Sequence, residues 1–144
     1  MFKNILVLCT GNICRSPMAE AVLRERLYGR DTTVSSAGTA ALVGYAADPL
    51  ALEVAKHFGF DLSQHSARQA TQPLLLAADL VLVMTRAHSE WVCEMVPPLR
   101  GRVQLLGRWR DVEVPDPYGL DRATFERVFE QIDDCVADWL PRLT

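Results

Sequence analysis

The chain has 144 residues, 49% hydrophobic and 23% charged, with a formal net charge of −3. That length predicts one domain over 1–144, and that apolar fraction builds a core, which excludes a disordered chain. A negative charge without a basic stripe predicts no nucleic-acid partner.

Residues 3–8 read as a first strand, buried on both faces because Ile5-Leu6-Val7-Leu8 is apolar throughout. Directly after it stands Cys9-Thr10-Gly11-Asn12-Ile13-Cys14-Arg15-Ser16-Pro17. Gly11 and Asn12 tolerate positive φ, so the chain can curl. Ser16 suits an N-cap and Pro17 a first helical position, which predicts a helix over 17–28 with Ala19, Val22, Leu23 and Leu27 on one face. Curled amides and a helix N-terminus form a nest for an anion. Arg15 adds a fixed fork that holds two phosphate oxygens. The same field favours the thiolate of Cys9, and Ser16 stands where it can hydrogen-bond the sulfur. The stretch therefore predicts phosphate-ester chemistry at Cys9, with Thr10 to Ser16 as the phosphate-binding loop.

A short strand fits 32–36, closed by Ala37-Gly38, and a loop runs over 39–47. Asp48-Pro49 marks the N-cap and first turn of a helix that continues to about Phe58 and ends at Gly59. A second central strand is predicted over 79–84, a helix over 87–95 broken by Pro97-Pro98, a fourth strand over 102–106 and a loop over 107–120. Asp121 caps a final amphipathic helix to Leu140, with Phe125, Val128, Phe129, Ile132, Val136 and Trp139 at helical spacing. Alternating strands and helices predict an α/β fold. It is a three-layer, doubly wound domain with a central four-stranded parallel sheet and helices on both faces. Ligands bind such sheets at the carboxyl ends of the strands, where Cys9 and the 107–120 loop converge.

Apolar runs such as 74–78 are far too short to span a bilayer, and the N-terminus lacks the features of a secretion signal. No membrane insertion and a cytoplasmic location are expected. Cys93 and Cys135 read as small buried hydrophobes, and no Cys/His cluster completes a metal site. No cofactor is expected. A monomer is expected, although no exposed heptad or apolar stripe makes the oligomeric state readable.

The Cys9–Pro17 stretch resembles the signature loop of the low-molecular-weight protein tyrosine phosphatases. Val114-Pro115-Asp116-Pro117-Tyr118-Gly119 resembles that family's general-acid loop, and the resemblance extends over essentially the whole chain. It is nearest to bacterial members that act with capsule or exopolysaccharide tyrosine kinases. It implies phosphotyrosine hydrolysis through a cysteinyl phosphate, with a phosphotyrosine protein, such as a bacterial tyrosine autokinase, as partner. Asp116 becomes the general acid and later the general base; its flanking prolines restrict the backbone to extended geometry. Asp111, Glu113 and Asp121 compete less well for that role. Tyr118 forms an aromatic wall of the substrate slot, where animal members often have two tyrosines, and Leu42 forms the opposite wall. The resemblance further implies a scaffold that holds Asn12 in an unusual conformation through Ser16, Ser36 and His65, with Arg68 in the same segment. His57 and His88 receive no role and read as solvated.

Cys14 reads either as a packing residue or as the partner of Cys9 in a reversible protective disulfide. Other chemistries share such a loop: arginine-phosphate hydrolysis, arsenate reduction with a cysteine relay, phosphate carriage without a general acid, and phosphotyrosine binding without catalysis. Ile13 stands where arginine-phosphate hydrolases usually have Thr, and its apolar surface favours tyrosine.

Overall fold

Ile5 to Leu8 lie in strand β1 (Asn4–Cys9), and their side chains alternate between two cores. Ile5, Val7 and Cys9 join one core, Leu6 and Leu8 the other. Such burial contributes about 1.5–3 kcal/mol per large aliphatic side chain before entropy is charged against it. The computed structural model describes residues 2–143. Its remaining elements are α1 (Arg15–Arg26), β2 (Thr33–Gly38), α2 (Pro49–His57), α3 (Gln72–Leu76), β3 (Leu80–Val83), α4 (Arg86–Met95), β4 (Val103–Leu105) and α5 (Arg122–Leu143). Short 3-10 turns occupy Pro97–Arg102 and Arg108–Arg110.

The four strands are parallel in the order β2-β1-β3-β4, in register Val7↔Ser36 and Val7↔Leu82. Helices α1, α2 and α5 cover the face of Ile5 and Val7, while α3 and α4 cover that of Leu6 and Leu8. The expected doubly wound α/β fold is therefore the observed one. The chain leaves β1 toward β2 on one side and returns to β3 on the other, so the sheet's switch point lies at the carboxyl ends of β1 and β3.

Local capping follows the sequence at several ends. Asp48 accepts from Leu50 N at 2.9 Å, Asp121 accepts from Thr124 N at 3.0 Å, and Gly59 ends the α2 segment at φ +93°. At α1 the expectation fails. The helix begins at Arg15, with Cys14 in the N-cap position and no side-chain cap. Ser16 is thus inside the first turn, and its hydroxyl serves the Cys9 sulfur instead. Pro17 is tolerated there because first-turn residues have no intrahelical acceptor for an N–H. The short helix α3, capped by Thr71, was not legible as an element.

Candidate active site

The loop between β1 and α1 is curled by its carbonyls. Each one from Cys9 to Cys14 accepts a hydrogen bond: Thr39 N to Cys9 O, Ala40 N to Thr10 O, Leu42 N to Gly11 O, His65 Nε2 to Asn12 O, Asp48 N to Ile13 O and Met18 N to Cys14 O, at 2.6–3.2 Å. Among the described residues, the amides of Gly11, Asn12, Ile13 and Cys14 donate to no protein group. Carbonyls turned outward and amides left free are the signature of an anion nest.

Arg15 lies at the nest, 4% exposed. Its Nη1 donates to Val114 O at 3.0 Å, and its buried Nε has no protein partner. A buried guanidinium N–H without an acceptor is costly unless an anion meets it. Cys9 is buried, and its Sγ is 2.9 Å from Ser16 Oγ. Ser16 Oγ accepts from Asn12 Nδ2 at 2.8 Å, which directs the Ser16 proton to the sulfur. Asn12 Nδ2 also donates to Ser36 Oγ at 3.0 Å, and Asn12 Oδ1 accepts from Arg68 N at 2.9 Å. This fully used amide holds Asn12 at φ +60°, in the left-handed region. The structure brings Asn12, Ser16, Ser36 and His65 into one network, with Arg68 as a further member.

Asn12→Ala would keep the left-handed backbone and remove three of these hydrogen bonds. The expected result is a loss of about 2–3 kcal/mol, a fall in Tm of roughly 8 °C and much slower turnover. A thermal melt beside steady-state kinetics checks it; an unchanged melt would show that the network does not brace the loop.

Gly38 explains how tightly β2 is drawn against the loop: a Cβ there would stand 2.3 Å from the Thr10 carbonyl oxygen. Asp116 is exposed, its Oδ2 3.8 Å from Arg15 Nη2, and its Oδ1 accepts from Tyr118 N at 3.0 Å. Glu113 instead accepts from Arg86 N, Asp111 pairs with Arg86 at 3.2 Å, and Asp121 caps α5, so all three rival carboxylates are engaged elsewhere. Cys9, Thr10, Gly11, Ile13, Cys14, Arg15, Leu42, Asp116 and Tyr118 line one pocket of about 290 Å³, with Leu42 and Tyr118 partly exposed at its mouth. A larger groove of about 820 Å³ lies behind the loop against Ser36, His65 and Arg68, and no cysteine lines it. Among the described residues, no cluster of His, Cys, Asp and Glu suits a metal ion.

Cys9 and Cys14 are free thiols. Burial, reinforced by the charges of Asp48, Cys9 and Asp116, pushes the Cys14 thiol far above its ordinary range. Cys14 is thereby kept protonated.

His88 corrects the sequence reading. It is 6% exposed, not solvated. Its Nδ1 accepts from Thr85 N at 3.2 Å in a capping box at the start of α4, and its Nε2 lies 2.9 Å from Thr10 Oγ1. An S/T-x-x-E/Q search misses this box, since histidine takes the acidic position. Burial, and then the Arg15 charge, push its pKa down to about 4, with Asp116 and Glu113 opposing. An unfolded histidine titrates near about 6.5, so between these values the unfolded chain binds a proton that the folded chain refuses. The resulting stability is complete above about pH 6.5 and drains as pH falls toward 4. His88→Gln is expected to lose less Tm than wild type between pH 7 and 4.5; equal losses in the two melts would refute this.

Residues 4–144 match the model of the family described as low molecular weight phosphotyrosine protein phosphatase. The chain is 45% identical over 144 residues to the low molecular weight protein-tyrosine-phosphatase Wzb of Escherichia coli K12, covering 99% of this chain and 97% of that one. It superposes with a TM-score of 0.95 on the crystal structure of the tyrosine phosphatase Wzb from Escherichia coli K30 in complex with sulphate, at 39% identity and full coverage of both chains. The YwlE arginine phosphatase from Geobacillus stearothermophilus also matches, with a TM-score of 0.91 at 28% identity over 97% of this chain and 92% of that one.

Proposed function

The chain belongs to the low molecular weight phosphotyrosine protein phosphatase family, and from that premise we propose that it hydrolyses phosphotyrosine in proteins through a phosphorylated Cys9. The observation that carries this reading is the nest of free amides around Cys9, closed by a buried Arg15 whose Nε awaits an acceptor. The phenyl ring enters between Leu42 and Tyr118, and the phosphoryl oxygens meet the amides and Arg15. Cys9 Sγ attacks phosphorus as the P–O bond to tyrosine breaks, and protonated Asp116 gives its proton to the departing phenolate. Ser16 donates to Cys9 Sγ and so favours its anionic form on both sides of the step. Water then attacks phosphorus with Asp116 as base, the P–S bond breaks, and orthophosphate leaves.

The partner is a tyrosine-phosphorylated protein, a bacterial tyrosine autokinase of capsule or exopolysaccharide synthesis being the one that the resemblance favours. Among the described residues no helix is long and apolar enough to cross a membrane. Arginine-phosphate hydrolysis is the second reading, because an arginine phosphatase shares the fold. Ile13 at the pocket wall, an apolar surface for an aryl group, supports tyrosine over it. A cysteine relay for arsenate is not supported, since Cys93 and Cys135 are buried on α4 and α5 in separate cores.

Turnover of a phosphotyrosine peptide beside a phosphoarginine peptide tests the assignment. Tyrosine is expected to win by at least about tenfold in kcat/KM, a difference of about 1.4 kcal/mol. Preference for phosphoarginine would overturn the reading and the role given to Ile13.

A further inference from the structure

Beside the substrate slot lies a second cleft of about 410 Å³. It shares Thr10, Arg15 and Asp116 with the slot, but its other walls differ. The slot is finished by Ile13, Ala40, Leu42 and Tyr118, surfaces suited to a ring. The cleft is finished by Thr39, Thr85, Ala87, His88 and Trp91, whose hydroxyl, imidazole and indole groups make that wall more polar than the slot's.

The hydrogen bonds fix the polarity of one wall. A backbone N–H only donates, so the Thr85 amide makes His88 Nδ1 an acceptor. The neutral ring therefore carries its proton on Nε2, which donates to Thr10 Oγ1 at 2.9 Å. Thr10 Oγ1 is left with its own proton to donate, and no protein acceptor for it stands among the described residues. We propose that this cleft holds the water that hydrolyses the phosphorylated Cys9, with the Thr10 hydroxyl and the Asp116 carboxylate as its partners and His88 as a positioning residue. The inference deepens the phosphatase reading and rests on it.

The step balances within the residues named. The water oxygen accepts from Thr10 Oγ1 through one lone pair and forms the bond to phosphorus through the other. Asp116 takes a water proton. The P–S bond breaks with its electron pair remaining on Cys9 Sγ, and orthophosphate departs. His88 touches neither water nor phosphorus; it sets which way the Thr10 proton points.

Stopped-flow kinetics with p-nitrophenyl phosphate separates the two chemical steps. In Thr10→Val and in His88→Asn, which lacks the Nε2 position, dephosphorylation of Cys9 is expected to slow about five- to tenfold, the worth of one hydrogen bond. Formation of the intermediate is expected to persist, so kcat and KM fall together, kcat/KM holds, and the burst of nitrophenol grows. His88→Gln, whose amide nitrogen replaces Nε2, should restore most of the loss. The double variant Thr10→Val/His88→Asn should be no slower than Thr10→Val alone. Thr10 is exposed, so its variant carries the test even if the His88 variants fold poorly. A fall in kcat/KM equal to that in kcat would reveal a distorted loop and overturn the inference. So would unchanged dephosphorylation in Thr10→Val while wild type turns over normally. A wild type that never phosphorylates Cys9 would instead overturn the phosphatase reading, and the inference with it.

Discussion

Cys9→Ser is expected to lower turnover of any aryl phosphate by at least about 10⁴-fold, the scale on which removing a nucleophile acts. A serine hydroxyl in the same place lacks the thiolate's nucleophilicity, and no histidine base is hydrogen-bonded to it; the neighbour at position 9 is Ser16 Oγ, at 2.9 Å. The anion nest is made of backbone amides and Arg15, so the variant should still bind phosphate and melt close to wild type. Intact mass after acid quenching supplies the check: wild type should accumulate a phosphorylated species that the variant lacks. Residual activity within tenfold of wild type would place the nucleophile elsewhere.

Asp116→Asn is expected to cost about 10²–10³-fold, the usual contribution of a positioned general acid. The size should depend on the leaving group. Phenolate and tyrosine need a proton as they depart, while p-nitrophenolate needs little, so the loss should be larger for phenyl phosphate than for p-nitrophenyl phosphate. Asparagine preserves the side chain's shape, and the geometry lets its amide oxygen keep the bond from Tyr118 N. An equal loss on the two substrates would mean that Asp116 acts on binding and not on the departing oxygen.

These two expectations rest on residues whose proposed roles are readable from short stretches of chain. Cys9, Arg15 and the curl of Gly11-Asn12 sit within seven positions of one another, and Asp116 announces itself by its prolines. The strand period, the α2 and α5 caps and the alternation of elements are likewise local, so the parallel sheet and the convergence of both loops at its carboxyl edge were legible without coordinates. Ser16 shows where local reading misleads. The Ser-Pro pair is a sound helix-start signal, yet the sulfur of Cys9 competes for the hydroxyl, and the helix begins at Arg15 instead.

What the sequence determined by itself was the fold class and which residues are proposed as nucleophile, phosphate loop and acid, because secondary-structure periodicity and loop chemistry act between neighbours. What only the tertiary structure decided was how that loop is held. Its carbonyls are met by donors from positions 39, 40, 42, 48 and 65, and Gly38 permits a contact with Thr10 that no pattern around either residue announces. His88, which reads as a surface histidine, is buried against Thr10 across 78 positions of chain. Hydrogen-bond partners so far apart in the chain are chosen by the packing of strands and helices, and that packing exists only once the chain has folded.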